Sequence, residues 1–290
     1  MANLGSENFD NRTYENFCQL IYKKSGIVIG ENKKIHLSNR LRARIKFLKL
    51  SSYEDYWKYV TAHLDNDSEL YELLDAVSTN ETYFQRGTNH FKILYTHILP
   101  EFYKKNYSHL SIWSCGTATG EEAYDLAMIA CEFEKDHRGL EILITGTDIS
   151  RKALEFARAG EYADRHIDLL SDYQAKTYFN EVKPEDSSLK YARRVLAVNE
   201  KIKNKVSFHY HNMISDSCLL KVDIIFCRNV LIYFNAETQK EVIDAFFRCL
   251  NPGGYLFIGP TESLQLIQSN LLMVKFEEGN VYKKQNGIAH

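Results

Sequence analysis

Residues 113–128 read WSCGTATGEEAYDLAM, and two adjacent glutamates come directly after the second glycine. A glycine-containing turn (Gly116, Gly120) between a strand-like and a helix-like run is the geometry of a nucleotide-binding βα unit, where glycines let the backbone pass close to a ligand. The residues next to the glycines set the chemistry of that ligand. A phosphate cradle requires GxxxxGK and then Ser or Thr, but Glu121 stands after Gly120 and would repel phosphate. A dinucleotide loop requires GxGxxG, and the spacing here is GxxxG. A cationic ligand without phosphates suits the loop better. S-adenosylmethionine carries a sulfonium and an α-ammonium, and a carboxylate on the first helical turn can pair with the ammonium. Asp148, closing ITGTD, stands where an acidic side chain accepts hydrogen bonds from ribose hydroxyls. The competing reading is that Glu121 and Glu122 only favour a helix N-terminus through its dipole; Asp148 in register weighs against it.

These residues need a scaffold, and the pattern from about residue 108 supplies one. Strand candidates at 110–113, 141–148, 205–212, 222–227 and 254–259 alternate with amphipathic helices, the last of them stopped by NPGG, which predicts a doubly wound parallel sheet. Residues 163–200 fit the rhythm poorly: they hold the polar run KPEDSS and then YARRVLAV, a possible strand, and read as an inserted β subdomain. Before residue 78 the pattern is helical. Tyr14, Phe17, Cys18 and Ile21 have i, i+3, i+4, i+7 spacing, as do Leu70, Leu73, Leu74 and Val77; Leu37, Leu41, Ile45 and Leu48 mark another stripe, and SSYEDYWKYV opens with capping serines. The expected organisation is a helical domain over 1–78, a junction over 79–107 and a cofactor-binding domain over 108–290.

Composition restricts the partners. Lysine plus arginine (36) nearly balance aspartate plus glutamate (38), so wholesale binding to nucleic acid or an acidic membrane is not indicated. The six cysteines have no metal-ligand spacing and read as free thiols in a reducing cytosol; no metal is expected. No segment approaches the ~18 apolar residues of a membrane span. A cytoplasmic, monomeric protein is expected.

Four blocks in order, STNETYFQR (78–86), WSCGTATGEEAYDLAM, TGTDIS with ALEFARAGEY (145–162), and FCRNVLIYF (226–234) with LNPGGYLFIGPTESL (250–264), resemble the CheR-type chemotaxis methyltransferases over nearly the whole chain. The resemblance implies a Rossmann-like class I methyltransferase domain behind an all-helical N-terminal domain. It implies methyl transfer from S-adenosylmethionine to glutamate carboxylates in the cytoplasmic helical domain of chemoreceptors, leaving S-adenosylhomocysteine. It further implies that Asn80, Thr82 and Arg86 contact the cofactor and active centre, that Glu122 holds the methionine end, that Asp148 holds the ribose, and that Asn212 and Met213 border the adenine. Arg228 and Asn229 match the segment after the fourth strand, Gly116 the loop, and Tyr233 a tyrosine near the transferred methyl. The chain departs from the family where Gln85 and Gly87 replace Phe and Glu around Arg86 and where Ala123 replaces proline. The segment EVKPEDSSLKYARR has no glycine, unlike relatives that dock a receptor tether there, so an enzyme independent of a tether is expected.

A carboxylate acceptor is already ionised near neutral pH, so such a reaction needs positioning rather than a general base. Arg86 would orient the substrate carboxylate and Tyr233 would place a hydroxyl near the methyl. In the helix LSNRLRARIKFLKL, Arg40, Arg42, Arg44 and Lys46 are either a solvated face or a basic surface for an acidic receptor coiled coil. A nucleic-acid methyltransferase is disfavoured because CRNVLIYF lacks an Asn-Pro-Pro-aromatic pattern; a binding module without catalysis is the other alternative.

Overall fold

The computed structural model describes residues 9–64, 68–183, 189, 192–215, 221–265, 267 and 269–285. Helix α1 (Asn11–Ser25) begins where the Asp10 carboxylate accepts from the Thr13 amide at 2.9 Å, and it ends at Gly26 in the left-handed region. A side chain at Gly26 would meet Thr238 Cγ2 at 2.8 Å, so the helix stop also lets this domain approach the next. Helices α2 (Lys34–Phe47), α3 (Tyr53–Ala62) and α4 (Ser68–Val77) come next, and Ser52 caps α3 through the Asp55 amide at 3.0 Å. The predicted stripes close on one another: Phe17, Ile21, Leu41, Ile45, Tyr56, Val60 and Leu73 are fully buried in one cluster, while Cys18 and Leu48 sit at its edge.

Helix α5 (Thr88–Ile93), a π-helical stretch (Leu94–Ile98) and α6 (Leu99–Lys104) form one continuous run through what the sequence suggests is a junction. Phe91, Leu94, Ile98 and Phe102 are buried on one face while residues 95–97 are exposed, the π-helical turn widens the spacing of that stripe, and Pro100 is tolerated because it falls in the first turn of α6. The larger domain then runs β1 (His109–Cys115), α7 (Glu121–Asp136), β2 (Glu141–Asp148), α8 (Arg151–Ala159), β3 (Glu161–Ala163), α9 (Asp164–Ile167), α10 (Asp172–Tyr178), β4 (Phe179–Glu181), β5 (Val195–Val198), α11 (Glu200–Lys203), β6 (Val206–Tyr210), β7 (Val222–Cys227), α12 (Ala236–Cys249), β8 (Leu250–Ile258), β9 (Leu271–Phe276) and β10 (Gly279–Lys284).

The main sheet has the order β6-β2-β1-β7-β8-β10-β9, parallel through β8 and antiparallel beyond it. The hairpin β9–β10 is absent from the sequence expectation, because its strands are short, lysine-bearing and joined at Glu277–Glu278 rather than by Asn-Gly or Asp-Gly. A second sheet, β3-β5-β4, is antiparallel and forms the inserted β subdomain, with YARRVLAV supplying β5. Most of the KPEDSS run lies outside the described residues. Among the described residues Cys18, Cys115, Cys131 and Cys227 are free thiols, but Cys249 is disulfide-bonded, which corrects the expectation of six free thiols. Among the described residues no helix is long and apolar enough to cross a membrane.

Strand order reverses between β1 and β7, and ligands of such sheets bind in the crevice beyond the strand ends at that switch point. His90 at the start of α5 packs edge-on against Phe257 of the sheet at 5.5 Å between ring centroids, beside Arg228. Burial first, and the Arg228 charge second, lower its pKa from the ordinary 6.5 to about 4. The unfolded chain therefore binds a proton between these values that the folded chain refuses, so stability is complete above 6.5 and falls as pH drops toward 4, by about 3 kcal/mol. Urea unfolding of His90→Gln should show a shallower decline over that window than the parent protein; equal slopes would remove His90 from the acid response.

Candidate active site

A cavity of about 380 Å³ opens at the switch point. Asn80, Thr82 and Arg86 line it from the segment after α4, Gly116 and Glu122 from the β1–α7 turn, and Asp148 from the end of β2. Asn212 and Met213 line it after β6, and Arg228, Asn229 and Tyr233 after β7. The helical domain completes the wall through Ser25 and Ile27.

The turn between β1 and α7 is fixed by one carbonyl. Thr147 O accepts from the amides of Gly116 and Thr117 at 2.8 and 2.9 Å, while Thr147 Oγ1 accepts from Trp113 Nε1 at 2.8 Å. The two glycines then serve different neighbours. Gly116 has φ +79° and an added Cβ would meet Val230 Cγ2 at 2.5 Å, so it lets the β7 loop close on the cavity. At Gly120, φ +95°, the Cβ would meet Ala157 Cβ at 2.8 Å, so this glycine packs α7 on α8. Asp148 Oδ2 accepts from the Ala118 amide and Oδ1 from the Ser150 amide, both at 2.8 Å. Burial raises the Asp148 pKa against the opposing effect of these amides.

The adjacent glutamates also diverge. Glu121 is completely buried and points into the protein, where Oε1 lies 2.7 Å from His166 Nδ1 of α9 and Oε2 accepts from Thr119 Oγ1 at 2.7 Å. Glu122 faces the cavity, accepting from Ser114 Oγ at 2.8 Å and from Arg228 Nη1 at 3.1 Å. Arg228 also donates to the Arg86 carbonyl and lies 5.3 Å from the Phe91 ring. The Arg86 side chain donates to Glu81 O at 3.0 Å and lies over Tyr83. Asn80 donates to Ser150 Oγ at 3.2 Å, and Asn212 Nδ2 to Lys24 O at 2.6 Å, which ties the helical domain to the adjacent strand end.

Sequence reasoning missed several residues of the site. Asp125, one turn beyond Glu122 on α7, lines the cavity and holds Gln85; its periodic position was the available signal. His211 also lines it, immediately before Asn212. Glu262, within the quoted PTESL, accepts from the amides of Asn229 and Ile232 at 3.0 and 3.3 Å and from that of Gly259 at 2.5 Å, holding Asn229 with φ +60°.

The donor set suits a cationic ligand bearing a ribose and an adenine. A carboxylate has about four lone-pair sites, and Glu122 spends two of them on Ser114 and Arg228. Thr117 Oγ1 is buried at the cavity without a partner among the described residues, and such an atom calls for a polar ligand, while His211 beside it has the Cys115 thiol as a neighbour. Glu122 would hold the ammonium of S-adenosylmethionine, Asp148 the ribose hydroxyls, and Met213 beside Asn212 the adenine. Among the described residues no His/Cys/Asp/Glu cluster could hold a metal ion.

The basic stripe of α2 is not a set of free cations. Arg44 forms two bonds to buried Glu69, at 2.6 and 2.9 Å, and reaches Glu72 at 3.4 Å; Tyr56 donates to the same Glu69. Arg40 donates to the carbonyls of Val77 and Ser78 and to Thr79 Oγ1, closing the C-terminus of α4. Arg42 is half-buried and Lys46 exposed. Helix spacing put these residues on related faces but did not show the carboxylate across the helix pair, and breaking a buried pair of this kind costs about 3–5 kcal/mol. Charge reversal at Arg44 therefore tests the fold before it tests docking.

A family model described as "CheR methyltransferase, all-alpha domain" matches residues 12–78, and one described as "CheR methyltransferase, SAM binding domain" matches residues 80–282. "Chemotaxis protein methyltransferase 1" of Vibrio cholerae serotype O1 is 34% identical over 277 residues, 94% of this chain and 97% of its own length. "Chemotaxis protein methyltransferase 1" of Pseudomonas aeruginosa is 34% identical over 279 residues, 94% of this chain and 98% of its own. Among solved structures, N-methyltransferase NodS from Bradyrhizobium japonicum with S-adenosyl-L-homocysteine aligns at TM-score 0.37 and 14% identity, over 66% of this chain and 85% of that one.

Gly87 has φ +71° and no room for a side chain, since a Cβ would lie 2.0 Å from Arg228 Nη2. Gly87→Ala should displace the guanidinium from Glu122 and cost about 1–3 kcal/mol in backbone strain alone. Urea unfolding and calorimetric titration with S-adenosylhomocysteine should both show a loss; parental values in both would mean that the Arg228 contacts adapt freely.

Proposed function

The chain belongs to the CheR methyltransferase family, and from that premise we propose that it transfers the methyl group of S-adenosylmethionine to glutamate side chains of chemoreceptors, forming methyl esters. The observation that carries this reading is the separation of the two glutamates: Glu121 is spent inside the protein, while Glu122 is held open to a cavity that Asp148, Arg86 and Tyr233 also line. A carboxylate on the first helical turn, beside a cavity with no lysine among its described lining residues, suits a cation without phosphates. When bound, the cofactor supplies a methyl group on positively charged sulfur.

The protein's contribution is placement. The acceptor carboxylate is ionised at neutral pH and needs no proton removed, so the barrier falls mainly through bringing donor and acceptor into line. Arg86 has guanidinium N–H groups beyond the one given to Glu81 O and would orient the acceptor carboxylate at the mouth of the cavity. The contact must stay moderate, because full neutralisation of the nucleophile would slow attack. Tyr233 would present its hydroxyl beside the methyl. The backbone carbonyl of Tyr233 accepts from the Val28 amide at 2.9 Å, so the helical domain fixes the position of this residue.

The word chemotaxis in the relatives' names supports this reading, in which the acceptor would be the acidic helical cytoplasmic part of a receptor, reached in the cytoplasm. Docking would draw on Arg42 and Lys46 of α2, with Arg40 retained as a support for the cavity wall. The absence of glycine in residues 181–194, of which 184–188, 190 and 191 lie outside the described residues, supports action without a receptor tether.

Incubation with methyl-labelled S-adenosylmethionine and receptor cytoplasmic fragments should give protein-bound label that mild base releases. Base-stable label would redirect the acceptor to nitrogen, and no label with intact cofactor binding would leave a binding module. Arg86→Ala should lower transfer by at least about 100-fold while the affinity for S-adenosylhomocysteine, measured by calorimetry, changes only a few-fold.

A further inference from the structure

The residues on either side of Arg86 adopt a backbone that ordinary side chains avoid. Gln85 has φ +62° and Gly87 φ +71°, so two left-handed residues flank one arginine. For a residue other than glycine this conformation costs on the order of 1 kcal/mol or more and persists only where surrounding contacts fix it. Asp125 provides such contacts. Its Oδ2 accepts from the Gln85 amide at 2.7 Å and its Oδ1 from Gln85 Nε2 at 2.5 Å, so a single residue satisfies both carboxylate oxygens with backbone and side-chain donors. Asp125 is 1% exposed, and a carboxylate is tolerated there only if it is hydrogen-bonded. From the other side Arg228 donates to the Arg86 carbonyl and occupies the space that a side chain at Gly87 would need.

We propose that Asp125 is a positioning residue for the methyl transfer: by chelating Gln85 it fixes the turn that presents Arg86 to the cavity. This rests on the methyltransferase reading of the site given above. Asp125 lines the cavity but has both oxygens turned to Gln85, so it acts through the turn and leaves the cofactor ammonium to Glu122. Gln85 and Gly87 are the two positions flanking Arg86 at which this chain departs from the resembled motif, and each has its own partner, Asp125 for the first and Arg228 for the second.

The test compares Gln85→Glu with the double variant Asp125→Asn, Gln85→Glu. In the single variant the introduced carboxylate meets the Asp125 carboxylate with no side-chain N–H between them, whereas Asp125→Asn alone would be met by Gln85 turning its amide to offer Oε1. In the double variant the introduced asparagine can donate to the introduced glutamate carboxylate and accept from the backbone amide of that glutamate, which restores both bonds with one reversed in direction. Three quantities are measured for each: hydrogen exchange at the amide of residue 85, affinity for S-adenosylhomocysteine, and kcat and KM with receptor fragments.

The single variant should speed exchange at residue 85 about tenfold, as expected for losing one buried hydrogen bond. It should lower kcat at least as much, with product affinity changed less than about threefold. The double variant should recover most of both losses. If Asp125 did not hold the turn, replacing it would not relieve the defect of Gln85→Glu, so equal defects in the two variants would overturn the proposal. Parental exchange and kcat in Gln85→Glu would overturn it as well. Hydrogen exchange does not depend on turnover: if the parent protein transfers no methyl group, the reaction assigned to the site fails while the exchange data still decide whether Asp125 holds the turn.

Discussion

Arg228 is the cation on which the site closes. Its side chain is 3% exposed, pairs with Glu122 at 3.1 Å, and donates to the carbonyl of Arg86. A guanidinium this deeply buried is tolerated only with partners, because desolvation of the charge costs several kcal/mol. Its partners lie on α7 and on the segment after α4, while Arg228 itself stands just beyond β7. Satisfying one charge therefore requires three distant parts of the chain to converge. The strand order makes that convergence possible, since β1 and β7 are neighbours and their ends face the same crevice. Glu262 completes the arrangement from beyond β8 by binding the Asn229 and Ile232 amides, so that the loop carrying Arg228 and Tyr233 is held at both ends.

The helical domain belongs to this site as a wall. Gly26 lets the end of α1 touch Thr238 of α12, Asn212 donates to Lys24 O, and the Val28 amide donates to Tyr233 O. Arg151 of α8 lies over the ring of Tyr71 on α4 at 3.2 Å and near that of Tyr210 on β6 at 5.3 Å, a cation–π contact across the same boundary. These are mostly backbone and glycine contacts, which tolerate little sliding. The basic helix that reads as a docking surface in one dimension supports the same wall, with Arg40 on the carbonyls of Val77 and Ser78 and Arg44 on Glu69.

What could be read in the sequence was whatever depends on nearby residues. The strand, glycine turn and helix at 109–136 come from local pattern, as do the serine cap of α3 and the stop of α12 before NPGG. The cavity-lining positions of Glu122, Asp148, Asn212 and Arg228 were legible because each stands one step beyond a strand or on the first turn of a helix. Contacts between distant segments were not. Nothing near Arg44 announces Glu69, which is 25 residues away, and nothing near Cys249 announces its disulfide. The run from α5 to α6 is less legible because a π-helical stretch interrupts it, so its buried stripe departs from regular α-helical spacing.

The substitutions around Arg86 show why a motif cannot be scored position by position. Read locally, glutamine and glycine in place of phenylalanine and glutamate look neutral, since neither removes a charge from the arginine itself. In the fold, Gln85 is answered by Asp125 forty residues on, and Gly87 by Arg228, whose bond to the neighbouring Arg86 carbonyl spans 142 residues. Ala123, which replaces a proline, needs no such answer, because it is fully buried in the first turn of α7, where alanine is the best helix former. A departure confined to helix propensity can be judged from the sequence. A departure that sets the backbone path of a site residue can be judged only with the residues that pack against it, so Arg86 is best understood as one end of a turn held by Asp125 below and Arg228 above.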